Sequence, residues 1–319
     1  MIARAGPGWF LPWGAILATA ATPLKPKKEM RVRAIGPLRT GCMNNETALI
    51  TGASSGIGLH LAHEFAKHGH PVVIVAPVKE ELMEVAEQLR AETGVEAIVI
   101  AKDLEQANAP QEIFDELQSA GVNVEILVNN AGRGKRGHFW EISLEDDLSM
   151  VRLNIEAVLR LTKLFLPPMI ARGRGRILNT ASVAGFEPGP MLAVYHSTKA
   201  FVLSLSEALA TELKESGVTV TALCPGPTDT DFFPKADMME TRAFQKAMAP
   251  QDVAEAGYKA AMAGERIIVP GGMNKALVAA RRILSEEAQS KVNAKFYEEL
   301  PPEDRKYDRG DMETAAAKK

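Results

Sequence analysis

Between residues 46 and 272 the chain alternates short, continuous apolar runs with longer stretches of helical spacing. The runs cover residues 47–51, 71–76, 97–101, 124–128, 176–180, 219–223 and 266–269. They do not alternate polar and apolar residues, so each strand must be covered on both faces, as in a parallel sheet packed between helices. Stretches 57–68, 79–92, 109–120, 145–171, 193–216 and 251–263 supply the helices. Strand–helix alternation of this kind predicts an α/β fold: a doubly wound parallel sheet of Rossmann type in a single domain, with loose terminal extensions. Such a sheet binds its ligand beyond the carboxyl ends of its strands, so the chemistry should be sought there.

Composition removes several alternatives. With 46% hydrophobic and 24% charged residues, the chain can build a sizeable core, and its net charge of −3 gives no support to nucleic-acid binding. Two cysteines, Cys42 and Cys224, cannot make a disulfide framework, and neither has the spacing of a metal ligand. No run of about 18 uninterrupted apolar residues occurs, which argues against an integral membrane segment.

Charge is unevenly placed. Residues 1–45 hold seven bases and one acid, a net charge of +6, leaving −9 for the remainder. Three readings are open for this leader. Residues 9–21 could be the apolar region of a signal peptide, with Ala18-Thr19-Ala20 as its cleavage site; the basic, acid-poor composition could mark an organelle transit segment; or the stretch is a disordered extension or an upstream start, with Met43 as the true one. The last goes with a cytoplasmic location. At the other end, residues 273–300 read as a C-terminal helix, and 301–319, with five acids against five bases, as a disordered tail.

The first apolar run ends in Thr51-Gly52-Ala53-Ser54-Ser55-Gly56-Ile57-Gly58, a glycine-rich turn that opens a helix. Gly52 permits a tight turn, Gly56 lets backbone approach a pyrophosphate, and Gly58 lets the helix pack on the sheet. The free N–H groups at the helix start then face the anion. The acid expected near the end of strand two, to bind a ribose 2′-hydroxyl, is missing from Val75-Ala76-Pro77-Val78-Lys79. Ala76 leaves room there and Lys79 could meet a 2′-phosphate, which favours NADP(H) over NAD(H); a solvated lysine at a helix start is the alternative.

Tyr195-His196-Ser197-Thr198-Lys199 puts Tyr195 and Lys199 four apart, on one face of a helix. A phenol titrates near ~10, and a neighbouring ammonium lowers that value and lets the tyrosine exchange a proton with an alcohol or carbonyl oxygen. Ser182, just past strand five, is placed to hold the reacting oxygen. Asn154 lies inside a helix, where an amide is neither a good helix former nor a cheap core residue. His196 is turned by about 100° from Tyr195, which suits packing rather than catalysis.

Taken together, these motifs resemble the short-chain dehydrogenase/reductase family over residues 46–272. The match rests on the glycine turn, Asp103-Leu104, Asn129-Asn130-Ala131-Gly132, Asn154, Ser182, Tyr195-x-x-x-Lys199 and Pro225-Gly226-Pro227-Thr228-Asp229-Thr230. The resemblance implies an oxidoreductase interconverting an alcohol and a carbonyl with NADP or NAD. It casts Tyr195 as general acid/base, Lys199 as the ribose anchor that tunes it, Ser182 as the oxygen holder, and Asn154 as the holder of a relay water. Asp103 would meet the adenine, Asn130 the adenosine ribose, and Thr228 and Thr230 the carboxamide. Ser54, Ser55, Gly56 and Ile57 would lie along the phosphates. Relatives that use NADP often carry a basic residue where this chain has Ser54, Ser55, Pro77 or Val78, so the cofactor choice is open. The expected partner is a small-molecule carbonyl or alcohol, with a homo-oligomer as the assembly.

Phe186, Pro188 and Met191, followed by Phe232-Phe233-Pro234, Met238-Met239 and Phe244, suggest an apolar lid over the substrate or a wall packed on the fold itself. The basic loop Arg133-Gly134-Lys135-Arg136 could meet an anion or be merely solvated. Residues 273–284 could lie on a membrane, on another subunit, or on the core. The rival functional reading is a non-catalytic, redox-sensing module that binds NAD(P)H and acts through a protein partner.

Overall fold

Neighbouring residues of each central strand go to opposite sides of one sheet, which is why the runs are apolar throughout. Ala48 and Ile50 of β1 (Ala48–Thr51) enter one core with Val72 and Ile74 of β2 (Val72–Ala76), whereas Leu49, Val73 and Val75 enter the other. The computed structural model describes residues 46–280 and 285–304. The reading of the leader lies outside the described residues, as does that of the tail beyond Asp304; Pro302–Asp304, expected to be part of that disordered tail, form a 3-10 turn.

The first core is closed by α1 (Gly56–Lys67) and α2 (Lys79–Thr93) together with α8 (Pro250–Ala263). The second is closed by α3 (Ala109–Ser119) and α5 (Ala157–Arg172), with the C-terminal end of α6 (Ala193–Glu212) at its margin. Burying one leucine or phenylalanine contributes about 1.5–3 kcal/mol, so two such layers hold the sheet firmly. With β3 (Ala97–Ala101), β4 (Ile126–Asn129), β5 (Gly175–Thr180), β6 (Val218–Leu223) and β7 (Ile267–Ile268), the strand order is β3-β2-β1-β4-β5-β6-β7, and every pairing is parallel. The order reverses between β1 and β4, and the crevice at their carboxyl ends is the ligand position of such a sheet.

Two segments depart from the sequence reading. The helix expected over 145–171 is interrupted: α4 (Leu144–Val151) runs into a π-helical turn (Arg152–Glu156) before α5. The break falls on Asn154, whose amide makes bonds outside the helix, and single π turns of this kind are frequent at functional sites. The C-terminal stretch is not one helix but two, α9 (Gly272–Ala280) and α10 (Glu286–Phe296). Ser285 caps α10 by accepting a hydrogen bond from the Ala288 N–H at 3.3 Å, and Glu286 and Glu287 complement the first turn. A short helix, α7 (Phe232–Lys235), follows β6 and falls within the segment expected to be the lid.

Candidate active site

At the end of β1 the chain turns sharply through Gly52, which takes φ +65°, a conformation that favours glycine. A Cβ on Gly58 would lie 2.0 Å from the Gly52 carbonyl oxygen and 2.4 Å from Asn130 Nδ2, so α1 can approach β1 only with glycine there. Ser55, the N-cap of α1, makes no side-chain capping bond, so its side chain does not cover the first amides of the helix. Ser54, Ser55, Gly56 and Ile57 line a cleft of about 1170 Å³ that crosses the carboxyl ends of the sheet. A cradle that any side chain would fill, joined to a helix start open to an anion, fits the pyrophosphate of a dinucleotide.

The strand ends beside this cradle are stitched together by side chains. Thr51 Oγ1 donates to the Val128 carbonyl at 3.2 Å and accepts from the Asn130 and Ala131 N–H groups at 2.9 and 3.0 Å. Asn130 Nδ2 donates to the Thr51 carbonyl at 3.0 Å, and its Oδ1 accepts from Thr180 Oγ1 at 3.2 Å. Asn130 lines the cleft, but its amide is engaged in holding β1, β4 and β5 in register, a role the motif alone did not reveal. Asp103 also lines the cleft, with its carboxylate accepting from the Glu105 N–H and from Gln106 Nε2. Lys79 is exposed and does not line the cleft; Lys102 does, ion-paired to Glu112. Of the two readings of Lys79, the structure agrees with the solvated lysine at a helix start. Its place at the first residue of α2 carries it away from the crevice.

Deeper in the cleft, Ser182, Tyr195 and Lys199 converge. Ser182 follows β5 and is buried; its Oγ accepts from the Ala184 N–H at 3.1 Å and donates to the Pro225 carbonyl at 3.4 Å. Lys199 Nζ stands 5.8 Å from the Tyr195 ring centroid and donates to the Thr180 carbonyl at 2.7 Å. One turn of α6 thus carries both groups on one face, as their spacing predicted. Their electrostatics differ from the sequence expectation. Burial pushes the Tyr195 phenol up to about 12, against the smaller, opposing influence of the nearby Ser182 hydroxyl. Burial likewise takes the Lys199 ammonium down to about 8, which the nearby Cys224 partly offsets. Desolvation, and not the Lys199 cation, sets the direction of the shift, and at neutral pH the tyrosine is a protonated acid.

Asn154 is buried in the π-helical turn. Its Nδ2 donates to the Arg133 carbonyl at 2.9 Å and to Thr198 Oγ1 at 3.0 Å, while its Oδ1 accepts from the Arg133 N–H at 3.0 Å. Both amide hydrogens are committed, so the side chain clamps the loop after β4 to α6. A Cβ on Gly132 would lie 3.2 Å from Asn154 Oδ1 and 3.4 Å from Lys199 Nζ, which places that loop between the two. Thr228 and Thr230, both buried, line the cleft beyond β6, and Thr230 Oγ1 accepts from the Phe232 N–H at 3.3 Å.

The far wall is apolar and comes from late in the chain. Leu192, Phe233, Ala236, Met238, Ala243, Phe244 and Tyr297 form one cluster, against which Met191, Tyr195, Phe232 and Phe296 pack. Phe232 lies 5.2 Å from Tyr195 between ring centroids. Phe186 belongs instead to a cluster with Val202 and Cys224. In the basic loop each cation meets an acid: Arg133 with Glu105 and Asp146, Lys135 with Asp237, Arg136 with Glu299. In α9 no residue is buried, and Met273, Asn274 and Leu277 line the mouth of the cleft. Sequence reasoning missed Phe296 and Tyr297 as wall residues, because aromatics in a mixed-charge helix carry no motif.

Residues 46–241, well over half of the chain, match the family described as short chain dehydrogenase. The human very-long-chain 3-oxoacyl-CoA reductase is 36% identical over 186 residues, which cover 56% of this chain and 58% of that protein. The chain thus aligns with less than two thirds of that relative. The bulky-bulky ketone specific alcohol dehydrogenase from Comamonas testosteroni superposes with a TM-score of 0.65 at 34% identity, covering 76% of this chain and 93% of that one. A short-chain dehydrogenase from Sphingobium yanoikuyae in complex with NADPH gives 0.67 at 34% identity, covering 74% and 94%.

Proposed function

Because the chain belongs to the short-chain dehydrogenase/reductase family of NAD(P)-dependent oxidoreductases, we propose that it reduces a bulky, apolar ketone to a secondary alcohol. One observation carries this reading: the Ser182–Tyr195–Lys199 group stands at the floor of the cleft, facing a wall built of apolar side chains. The bound dinucleotide supplies the hydride, and the protein supplies position and the proton. The α1 amides and the Gly52–Gly58 cradle would hold the pyrophosphate, with Asp103 at the adenine end and Thr228 and Thr230 at the nicotinamide end.

Ser182 Oγ would hold the carbonyl oxygen, and Tyr195 would deliver its proton to that oxygen as the carbon is reduced. Lys199 would anchor the ribose and stabilise the phenolate left behind. A phenol protonated at neutral pH can serve as the acid in the reductive direction. Asn154 acts here as a positioning residue that fixes the loop between β4 and α6. The bulk of the substrate is read from the aromatic wall, and the names of the human and Comamonas relatives agree with it.

Among the described residues no helix is long and apolar enough to cross a membrane. Leu144, Leu148 and Val151 form an exposed stripe on α4, which supports a homo-oligomer testable by sedimentation. The decisive experiment measures NADPH-dependent reduction of benzil by the wild type and by Tyr195→Phe. The variant should lose activity by about 10²–10⁴-fold while its NADPH Kd, read by fluorescence, stays within about twofold. Full activity in the variant overturns the mechanism. A wild type that binds NADPH tightly yet turns over no carbonyl in a broad panel favours the non-catalytic module.

A further inference from the structure

Next to the catalytic tyrosine, His196 is buried and held at both ring nitrogens. Nδ1 lies 2.8 Å from the Glu187 carbonyl and Nε2 lies 3.0 Å from the Tyr297 hydroxyl. A carbonyl can only accept, so Nδ1 carries the hydrogen, and the Tyr297 O–H donates to Nε2. Tyr297 ends α10 and is itself buried. Packing around the ring is tight, since a Cβ on Gly189 would come within 2.2 Å of it. Three further bonds fasten the same stretch: Asn293 Nδ2 to the Pro188 carbonyl at 2.8 Å, Arg136 Nε to the Tyr297 carbonyl at 2.8 Å, and the Leu300 N–H to the Glu240 carbonyl at 2.8 Å. Asn293, Phe296 and Tyr297 line the cleft, whereas His196 stands behind it.

We propose that the His196–Tyr297 pair is a latch that docks the C-terminal helix onto the catalytic helix, so that α10 sets which substrates fit beside Tyr195. His196 is thus a positioning residue, acting through Tyr297 on the substrate wall, and has no part in proton transfer. This deepens, and rests on, the reading of the cleft as a carbonyl site. The arrangement gives the bulky end of a substrate a wall that closes only when the buried imidazole and the phenol meet. A small carbonyl, which leaves that wall untouched, gains nothing from the latch.

The test compares two 1,2-diketones that share a reacting group and differ in bulk, benzil and diacetyl, with Tyr297→Phe, His196→Phe and the double variant. Tyr297→Phe removes one hydroxyl, and His196→Phe keeps a ring of similar size. Each single variant should raise the KM for benzil about tenfold with kcat within about threefold, the size expected when a buried hydrogen bond is lost. The ratio of benzil to diacetyl specificity should fall by a similar factor, and the NADPH Kd should not change. The double variant should be less impaired than the product of the singles, because each single variant already breaks the same contact. Amide hydrogen exchange over residues 286–300 should quicken in both singles, which is a readout independent of turnover. A fall in kcat with KM unchanged, an equal loss for benzil and diacetyl, or unaltered exchange in 286–300 overturns the latch. If neither diketone is turned over by the wild type, the carbonyl reading fails, and the exchange measurement still decides whether the two helices are latched.

Discussion

The two walls of the cleft are built on different principles. The wall proposed for the dinucleotide, from β1 through β4, is backbone: strand ends, a glycine turn and helix amides, locked by Thr51, Asn130 and Thr180. The wall proposed for the substrate is side chain: α7, the segment to Ala247 and α10 meet in an aromatic cluster that contains no strand residue. The first is fixed by the same hydrogen-bond ladder that holds the fold together, so it offers one geometry to a ligand that does not vary. The second is held by packing and by a few buried polar bonds, so its shape can be altered without disturbing the sheet. A site divided in this way can keep its chemistry while its substrate changes.

The largest effect should come from breaking the rigid wall. Gly58→Ala pushes a methyl into the Gly52 carbonyl, a backbone atom with no freedom to yield. It should cost several kcal/mol, about the upper range for a single substitution, and abolish detectable NADPH binding by fluorescence titration. Retention of wild-type affinity would show that α1 can move away from β1, and the contrast between the walls would fail.

Phe232→Ala probes the adaptable wall and should be milder. The ring packs on Tyr195 and lies against Gly134, so its removal should raise the KM for benzil by about tenfold and leave thermal stability within about 2 kcal/mol. A loss of cofactor affinity as large as the loss for benzil would mean the walls are not independent.

The smallest effect concerns acid. His60 on α1 is buried, and burial followed by the nearby His63 holds its pKa down to about 4. The unfolded chain takes up a proton below about 6.5 that the folded protein refuses until about 4, so stability falls as pH drops through that window. His60→Phe should flatten the urea midpoint between pH 7 and pH 4.5. An unchanged slope in the variant would assign the acid sensitivity elsewhere in the scaffold.

How much was legible before the structure follows the same division. The strands and helices of the sheet were readable because burial on both faces forces continuous apolar runs, and their predicted bounds differ from the observed ones by at most four residues. The Tyr195–Lys199 pair was readable because a helix turn fixes what four residues apart can share. The π turn at Asn154 was not, since its cause lies in bonds to Arg133 and Thr198, distant in sequence. Lys79 stayed open between two readings for a related reason, because one residue of register at a helix start decides whether a side chain faces the crevice or water. The tuning of Tyr195 was read from its neighbour alone, while burial, a property of everything packed around it, dominates.

What the amino-acid order determined by itself is therefore local and periodic: the parallel sheet, the glycine turn that opens α1, and a phenol and an ammonium on one helix face. Tertiary structure decided how protonated that phenol is, and which distant segment stands beside it. Both depend on groups more than a hundred positions apart, such as His196 and Tyr297, brought together by packing that leaves no regular spacing along the chain.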